Sequence, residues 1–295
     1  MKRTGIASMS LLLLLAGCSN TAEKSQINET ELTTAAALET NAETPSESSA
    51  APNEGSENEA ASQFTVKTGV SFDETWGLTI SNIIEDNGKV VGVLADTFRN
   101  GESSKEKYDN YGVKPVSTLG KEWWEQVKFY ENWVVENGVD TVEYDEEGHA
   151  TNPDLISGAT INISYYTEAI KNASDEPEHE IAGFTVKTGT SYNETWGLTV
   201  ANVIEQDNKI IGVLVDTFRD GESSKEKFDN YGVKSISTLE KDWWEQIKFY
   251  ENWVVENGVD AVKYDEDGHA TVDLISGATI NISDFTKAIE DALNK

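Results

Sequence analysis

The stretch Gly77–Phe98, G-L-T-I-S-N-I-I-E-D-N-G-K-V-V-G-V-L-A-D-T-F, predicts a β-hairpin. Two runs rich in β-branched residues flank Asn87-Gly88, and Asn-Gly is a preferred centre for a two-residue hairpin turn. Strands joined by so short a turn are antiparallel. The sequence therefore predicts an antiparallel sheet in this segment.

The segment around this hairpin occurs twice in the chain. Five marker residues, Phe64, Trp76, Phe98, Trp123 and His149, recur at a constant offset as Phe184, Trp196, Phe218, Trp243 and His269. We therefore predict one domain at residues 64–173 and a second at 184–295, joined by a short acidic linker at 174–183. Separate motions of the two domains are the default expectation for such a linker.

Two helices complete each predicted domain. Four residues within Lys121–Asn137 fall on one helical face: Trp123, Val127, Tyr130 and Val134. Gly138 follows as a C-terminal stop. A last helix, Tyr165–Asn172, is predicted to be capped by Ser164, and Ser283 begins its equivalent. The order of elements predicts an α+β fold, a twisted antiparallel sheet packed by helices on one side.

The N-terminus predicts export and a lipid anchor. A positively charged start precedes an apolar run that is too short to span a bilayer. The sequence Leu15-Ala16-Gly17-Cys18 resembles a lipobox, so residues 1–17 are predicted to be a signal peptide and Cys18 a lipidated N-terminus. Residues 18–63 are rich in Ser, Thr, Asn, Ala and Glu, a composition typical of a disordered tether.

Length and charge narrow the function classes. The chain has 295 residues, enough for two ordinary domains, and a formal net charge of −30. Such a charge disfavours binding to nucleic acid and to anionic lipid, and it favours a soluble monomer. Cys18 is the only cysteine, so no disulfide framework is predicted.

The segment Asp154–Ser164, D-L-I-S-G-A-T-I-N-I-S, recurs unchanged as Asp273–Ser283. Its core residues are Ser157, Gly158, Ala159 and Thr160, with counterparts Ser276, Gly277, Ala278 and Thr279. The glycine lets a ligand approach the main chain, and successive N–H groups in such a turn can cradle an anion. This combination suits a phosphate held against, or bonded to, the threonine hydroxyl. An ordinary turn before a helix is the alternative interpretation.

The pattern D-x-x-[ST]-G-A-T resembles the flavinylation motif of the FMN-binding domain family, which includes the C subunit of the sodium-pumping NADH:quinone reductase and the G subunit of the Rnf complex. In that family an ApbE-type flavin transferase takes FMN from FAD and joins its phosphate to the last threonine. The resemblance implies two covalent FMN groups, on Thr160 and Thr279. Many members have Ser or Thr two residues beyond the acceptor, where this chain has Asn162 and Asn281. The resemblance covers each whole domain and is closest to the PplA-type flavinylated lipoproteins of Gram-positive bacteria.

Four further residues are candidates for the cofactor site. Asp154 and Asp273 could hold the acceptor threonine or a metal during flavin transfer, or cap the turn through their own backbone. Trp76 and Trp196, in E-T-W-G at a strand entrance, are candidates to lie beside the isoalloxazine ring. The tryptophans of the long helix, Trp123, Trp124 and Trp133, are instead predicted to be core residues.

No metal site is predicted. The turns Asp145–His149 and Asp265–His269 have their glycine at the wrong place for an EF-hand and are predicted to be hairpin turns. The three histidines do not group with cysteines or with one another in a zinc-binding pattern.

The resemblance implies a cell-surface lipoprotein that carries electrons through FMN in each domain. The electrons would come from a membrane NADH dehydrogenase through the quinone pool and pass to extracellular acceptors such as ferric iron. Such a protein is an electron-transfer flavoprotein rather than an enzyme that turns over a substrate. The alternative is a surface lipoprotein without redox function that binds a ligand or a cell-wall component. The acceptor threonine distinguishes the two, because a binding module does not need it.

Overall fold

The computed structural model describes residues 64–106, 111–225 and 232–295. The predicted signal peptide, Cys18 and the predicted tether lie outside these residues. Across the described ranges, no helix is both long enough and apolar enough to cross a membrane.

Each repeat is a run of strands followed by helices. The first contains β1 (Phe64–Asp73), β2 (Gly77–Asp86), β3 (Lys89–Arg99), β4 (Glu102–Ser103), α1 (Trp123–Asn137), α2 (Pro153–Ile156) and α3 (Ser164–Lys171). The second contains β5 (Glu178–Ile181), β6 (Phe184–Asn193), β7 (Gly197–Gln206), β8 (Lys209–Arg219), β9 (Glu222–Ser223), α4 (Trp243–Asn257) and α5 (Ser283–Leu293). A 3₁₀ turn at Val272–Ser276 takes the place of α2 in the second repeat.

Strands β2 and β3 form the predicted hairpin. Asn87 has φ 51° and Gly88 has φ 76°, the left-handed conformation that a type I′ turn requires at both central residues. The strand orders are β1-β2-β3-β4 and β5-β6-β7-β8-β9, and every pairing between neighbours is antiparallel. The predicted α+β class with antiparallel sheets is confirmed.

The long helix α1 packs on β3 through the predicted face. All four residues of that face are buried: Trp123, Val127, Tyr130 and Val134. The helix begins at Trp123 rather than Lys121, because Glu122 and Glu125 form a reciprocal capping box there. It ends as predicted at Asn137, where Gly138 has φ 84° and donates its N–H to the carbonyl of Val134.

The predicted cap of the last helix was wrong. Ser164 is the first residue of α3 rather than its cap. The capping acceptor is the side chain of Asn162, whose Oδ1 accepts hydrogen bonds from the Ser164 N–H at 3.0 Å and from Ser164 Oγ at 2.8 Å. Asn281 caps α5 in the same way through Ser283. The asparagine two residues beyond each candidate threonine therefore fixes the start of the helix that follows.

The outer faces of the two sheets pack against each other. One apolar cluster joins Val70, Leu78, Ile80 and Phe98 to Val186, Ile204 and Leu214, and a second joins Ile84 and Leu94 to Leu198, Val200 and Phe218. The contact is reciprocal. A Cβ at Gly92 would lie 2.4 Å from the Phe218 ring, and a Cβ at Gly212 would lie 2.6 Å from the Phe98 ring. This shared core contradicts the expectation that the two domains move separately.

A buried ionic network crosses the same interface. Lys225 Nζ lies 2.8 Å from Glu106 Oε1 of the first repeat and 2.8 Å from Glu251 Oε1 of α4. Lys105 and Glu131 form the corresponding buried pair within the first repeat, also at 2.8 Å. Desolvation lowers the pKa of Lys225, but Glu106 and Glu251 outweigh it and hold this pKa well above its usual range. A charged Lys225 therefore ties the two repeats together.

The segment predicted as a linker contains β5, which pairs with β6 at the edge of the second sheet. Just before it, the N–H and carbonyl of Ser174 form a two-way bridge with Thr68 of β1. The side chain of Thr68 in turn donates to Thr188 Oγ1 of the second repeat at 2.8 Å. The connection between the repeats is therefore paired with both of them.

We predict that Lys225→Ala destabilises both repeats together. The substitution leaves Glu106 and Glu251 buried without their shared cation, and breaking a buried pair in this way costs about 3–5 kcal/mol. Denaturant unfolding followed by tryptophan fluorescence should show one transition shifted to lower denaturant. Lys128→Ala is the matched control, because Lys128 pairs with Glu222 across the same interface at 3.7 Å but lies near solvent. That change should cost at most about 1 kcal/mol. Equal effects of the two substitutions would contradict the structural importance of the network.

Candidate functional site

The loop that carries Thr160 is packed beneath helix α1. Leu155 is buried, and its carbonyl accepts the N–H groups of Gly158 at 3.1 Å and Ala159 at 2.9 Å. A Cβ at Gly158 would lie 2.2 Å from the Phe129 ring of α1. The glycine is therefore required because the ring fills the space of a side chain, whereas the sequence had suggested the close approach of a ligand to the main chain.

The same arrangement recurs in the second repeat. Gly277 has φ −132°, which other residues adopt readily. A Cβ there would nevertheless lie 2.2 Å from the Phe249 ring of α4. Ala278 is fully buried, like Ala159. In each repeat, packing of the loop glycine against a phenyl ring of the long helix thus sets the position of the threonine loop.

A buried glutamine holds each candidate threonine. Gln126 Oε1 accepts hydrogen bonds from the Thr160 N–H at 2.9 Å and from Thr160 Oγ1 at 3.2 Å. Its own Nε2 donates to the carbonyl of Lys121 at 3.2 Å. Gln246 makes the same two contacts with Thr279, at 2.8 and 3.2 Å. Both glutamines are fully buried, and both threonines are half-buried, so each hydroxyl is oriented from the protein side.

Sequence reasoning missed these glutamines. The available signal was a polar residue, Gln126, three positions after Trp123 and four before Tyr130, in the middle of an apolar helical face. A fully buried amide needs hydrogen-bond partners. Such a residue in a core position therefore indicates a specific buried contact, which here is the threonine loop.

The other residues of the motif lie on the solvent side of the loop. Ser157 is exposed and donates its hydroxyl to the carbonyl of Asp154 at 2.6 Å. The carboxylate of Asp154 is exposed in the first turn of α2. Asp273 and Ser276 are exposed at the corresponding places in the second repeat. The hydroxyl of Thr160 is held by Gln126 from the opposite side.

A cleft of about 420 Å³ opens beside the loop of the first repeat. Its walls come from both sheet and helices, and its lining includes Trp76, Thr97, Arg99, Asn100, Glu102, Ser104, Tyr111, Val113, Trp123, His149, Ile161, Asn162, Tyr165 and Tyr166. Trp76, 41% exposed, is stacked on Tyr165 with ring centroids 5.9 Å apart. Ile161 and Asn162, which directly follow Thr160 in the chain, are part of this lining.

The second repeat has a corresponding cleft of about 510 Å³. Trp196 lies on its rim, 52% exposed, and Ile280 and Asn281 follow Thr279 into its wall. Both volumes fall in the range of small-molecule sites, roughly 300–1,000 Å³. An aromatic cleft next to a positioned hydroxyl fits a flat ring compound with a phosphate arm. The residues present therefore suit FMN bonded to the threonine.

The histidine turns border these clefts. Asp265 Oδ1 accepts the N–H groups of Asp267 at 3.1 Å and His269 at 2.8 Å. Tyr264 pairs antiparallel with Ala270 across this turn, so the predicted hairpin turn is confirmed. His149 and His269 also line the two clefts, which the sequence did not indicate.

Parts of this chain are similar to known proteins. Residues 176–294 match the FMN-binding domain family. A stretch of 34 residues is 53% identical to a chlorophenol reductase of Desulfitobacterium hafniense and covers 12% of this chain and 10% of that protein. This chain therefore spans about a tenth of the length of that relative. A protein of Clostridium thermocellum with a solution NMR structure is 26% identical and similar over 37% of this chain and 86% of its own, with a TM-score of 0.25.

We predict that Gly158→Ala displaces the threonine loop and destabilises the first repeat by about 1–3 kcal/mol, because the added methyl overlaps the Phe129 ring. Gly277→Ala should have the same effect in the second repeat through Phe249. Urea unfolding of the purified protein measures both. Ser157→Ala, an exposed change in the same loop, is the control and should stay within about 0.5 kcal/mol of the parent. A neutral Gly158→Ala variant would contradict the packing described here.

Proposed function

Because residues 176–294 of this chain match the FMN-binding domain family, we propose that each repeat carries FMN, joined through its phosphate to Thr160 or Thr279. The observation that carries this proposal is the same in both repeats: a threonine hydroxyl is held by a buried glutamine, and the two residues that follow this threonine line an aromatic cleft. The whole protein then acts as an electron carrier.

Attachment requires a hydroxyl that an outside enzyme can reach. Thr160 is half-buried on a surface loop, and its neighbours Ser157 and Asp154 are exposed, so an ApbE-type flavin transferase could approach from the solvent side. In the proposed reaction Thr160 Oγ1 forms a bond to the FMN phosphorus of FAD, the pyrophosphate bond breaks, and AMP leaves. The hydroxyl proton passes to a base of the transferase or to solvent.

The clefts supply a protected site for the ring system. Aromatic side chains line both clefts, and Arg99 or Arg219 adds a cation at the edge. Bound FMN would supply transfer of one or two electrons, while the chain contributes attachment, orientation and electrostatic tuning. Covalent attachment prevents loss of the cofactor by dilution outside a cell.

The proposed setting is the outer face of the cell membrane. It is supported by the lipobox at Leu15-Ala16-Gly17-Cys18, which would anchor the protein as a PplA-type lipoprotein. Electrons would reach it from a membrane NADH dehydrogenase through the quinone pool and leave to an acceptor such as ferric iron. The short similarity to a chlorophenol reductase supports a redox role of the repeats.

We predict that Thr160→Ala with Thr279→Ala, made in cells that contain a flavin transferase, gives a folded but colourless protein. Each single substitution should remove about half of the flavin absorbance, because each hydroxyl accepts one FMN. Reduction of extracellular ferric iron by the cells should fall to the level of a strain without the protein. Thr160→Ser with Thr279→Ser keeps both hydroxyls and is the matched control. A double alanine variant that retains its colour and iron reduction would exclude attachment at these threonines.

We also predict that Gln126→Met lowers flavin attachment at Thr160 about tenfold, since one lost hydrogen bond corresponds to about that factor. Methionine has a similar length but no oxygen to accept the threonine hydroxyl. Mass spectrometry of the two threonine peptides after a short reaction with the transferase and FAD measures each site separately. Thr279, held by Gln246, is the control within the same molecule.

Equal losses at Thr160 and Thr279 would show that the glutamine supports the general fold rather than its own threonine.

A further inference from the structure

The two repeats provide an internal comparison, because their clefts are lined by equivalent residues. Trp76, Arg99 and Glu102 have identical counterparts in Trp196, Arg219 and Glu222. Among the described lining residues, three positions differ in chemistry: Asn100 becomes Asp220, Tyr165 becomes Asp284, and Tyr166 becomes Phe285.

Two neutral phenols are part of the lining of the first cleft. Tyr165 and Tyr166 are buried, with ring centroids 4.3 Å apart. Burial raises the pKa of Tyr165 to about 12 and that of Tyr166 well above its usual range. Both side chains are therefore uncharged at neutral pH. The charged residues of this lining are one arginine, Arg99, and one glutamate, Glu102.

The second cleft is acidic at the same place. Asp284 is only 6% exposed and lies beside Phe285 at the start of α5. The charged residues of the described lining are one arginine, Arg219, against three acids, Asp220, Glu222 and Asp284.

Outside the lining, the charge closest to Asp284 is exposed. Lys287 Nζ lies 3.5 Å from Asp284, but the Lys287 side chain is 58% exposed, and its counterpart in the first repeat is the exposed Glu168. Exposed charges are screened by water and salt much more than buried ones. Across the interface, Lys128 pairs with Glu222 and Lys248 pairs with Glu102, so these cations affect both clefts alike. The buried difference is therefore Asp284.

Reduction adds electrons, and therefore negative charge, at the flavin site. A fixed carboxylate nearby repels this added charge and so lowers the reduction potential of the flavin. Resting on the proposed function, we propose that the second cleft holds its flavin at a lower reduction potential than the first, so that electrons pass from the second repeat to the first within one molecule.

In this step the reduced flavin on Thr279 loses two electrons and becomes oxidised. The flavin on Thr160 gains both and becomes reduced, and the protons exchange through solvent.

The shared core supports transfer within the molecule. Ser104 lines the first cleft, and two residues later Glu106 contacts Lys225, which directly follows Ser224 of the second cleft. The buried network therefore joins the walls of the two clefts. The two sites are held in one fixed relation rather than on independently moving domains.

The test uses full-length mature protein loaded by a flavin transferase, with one acceptor removed at a time. Thr160→Ala leaves the flavin of the second repeat, and Thr279→Ala leaves that of the first. Anaerobic redox titration followed by flavin absorbance gives each potential. Two charges about 10 Å apart, at an effective dielectric constant of about 20, change an equilibrium about tenfold. A tenfold lower equilibrium constant for reduction at the second site corresponds to about 30 mV for a two-electron couple.

Charge variants then test the assignment to Asp284. Asp284→Asn, in the protein with flavin only on Thr279, should raise the potential, and Tyr165→Asp, in the protein with flavin only on Thr160, should lower it. Glu290→Gln makes the same charge change on an exposed residue of α5 and should leave the potential unchanged.

The outcomes separate the two proposals. Loaded variants with equal potentials, or a higher potential at the second site, would overturn the proposed direction while leaving the flavin carrier intact. An Asp284→Asn variant that behaves like Glu290→Gln would remove Asp284 as the cause. Failure of both threonines to accept flavin would instead contradict the proposed function itself.

Discussion

The packing of the two sheets against each other is the constraint on which the rest of the structure depends. One face of each sheet is covered by its own helices, and the other face is covered by the opposite repeat. Separating the repeats would expose Phe98, Phe218 and the apolar residues around them, and it would expose the buried ion pair of Lys225 with Glu106. The duplicated chain thus folds as a pair of sheets that need each other, and the two clefts keep a fixed relation as a consequence.

Within each repeat, the position of the candidate threonine follows from the long helix. The ring of Phe129 excludes any side chain at Gly158, and Gln126 accepts both the N–H and the hydroxyl of Thr160. The loop between α2 and α3 is therefore defined by contacts from α1, while its outer side stays open to solvent. This combination of a rigid inner side and an accessible outer side is what modification by a second enzyme requires.

Much of the fold could be predicted from local patterns. Asn87-Gly88 determines a type I′ turn by backbone conformation alone, and the face of α1 is determined by helical periodicity. The interface between the sheets was missed, although V-V-G-V-L-A in β3 is a continuous apolar run, which is typical of a strand buried on both faces. Gly92 in the middle of that strand was a second signal, because glycine inside a strand often marks a close approach by another part of the chain.

The sequence predicted the candidate threonines, but it did not predict the residues that contact them. Neither Gln126 nor Asn162 could be assigned from local pattern, because the partner of a polar side chain depends on which loop the fold brings to it. The difference between the clefts at Tyr165 and Asp284 is visible in the sequence, but its meaning depends on knowing that both positions face a cleft.

The most direct test of the central claim is the intact mass of the parent protein, made with a flavin transferase and then denatured. We expect two additions, each equal to FMN less one water, that survive denaturation and map to the peptides containing Thr160 and Thr279. A protein with no added mass would contradict covalent flavin at both sites, and with it the electron-carrier function.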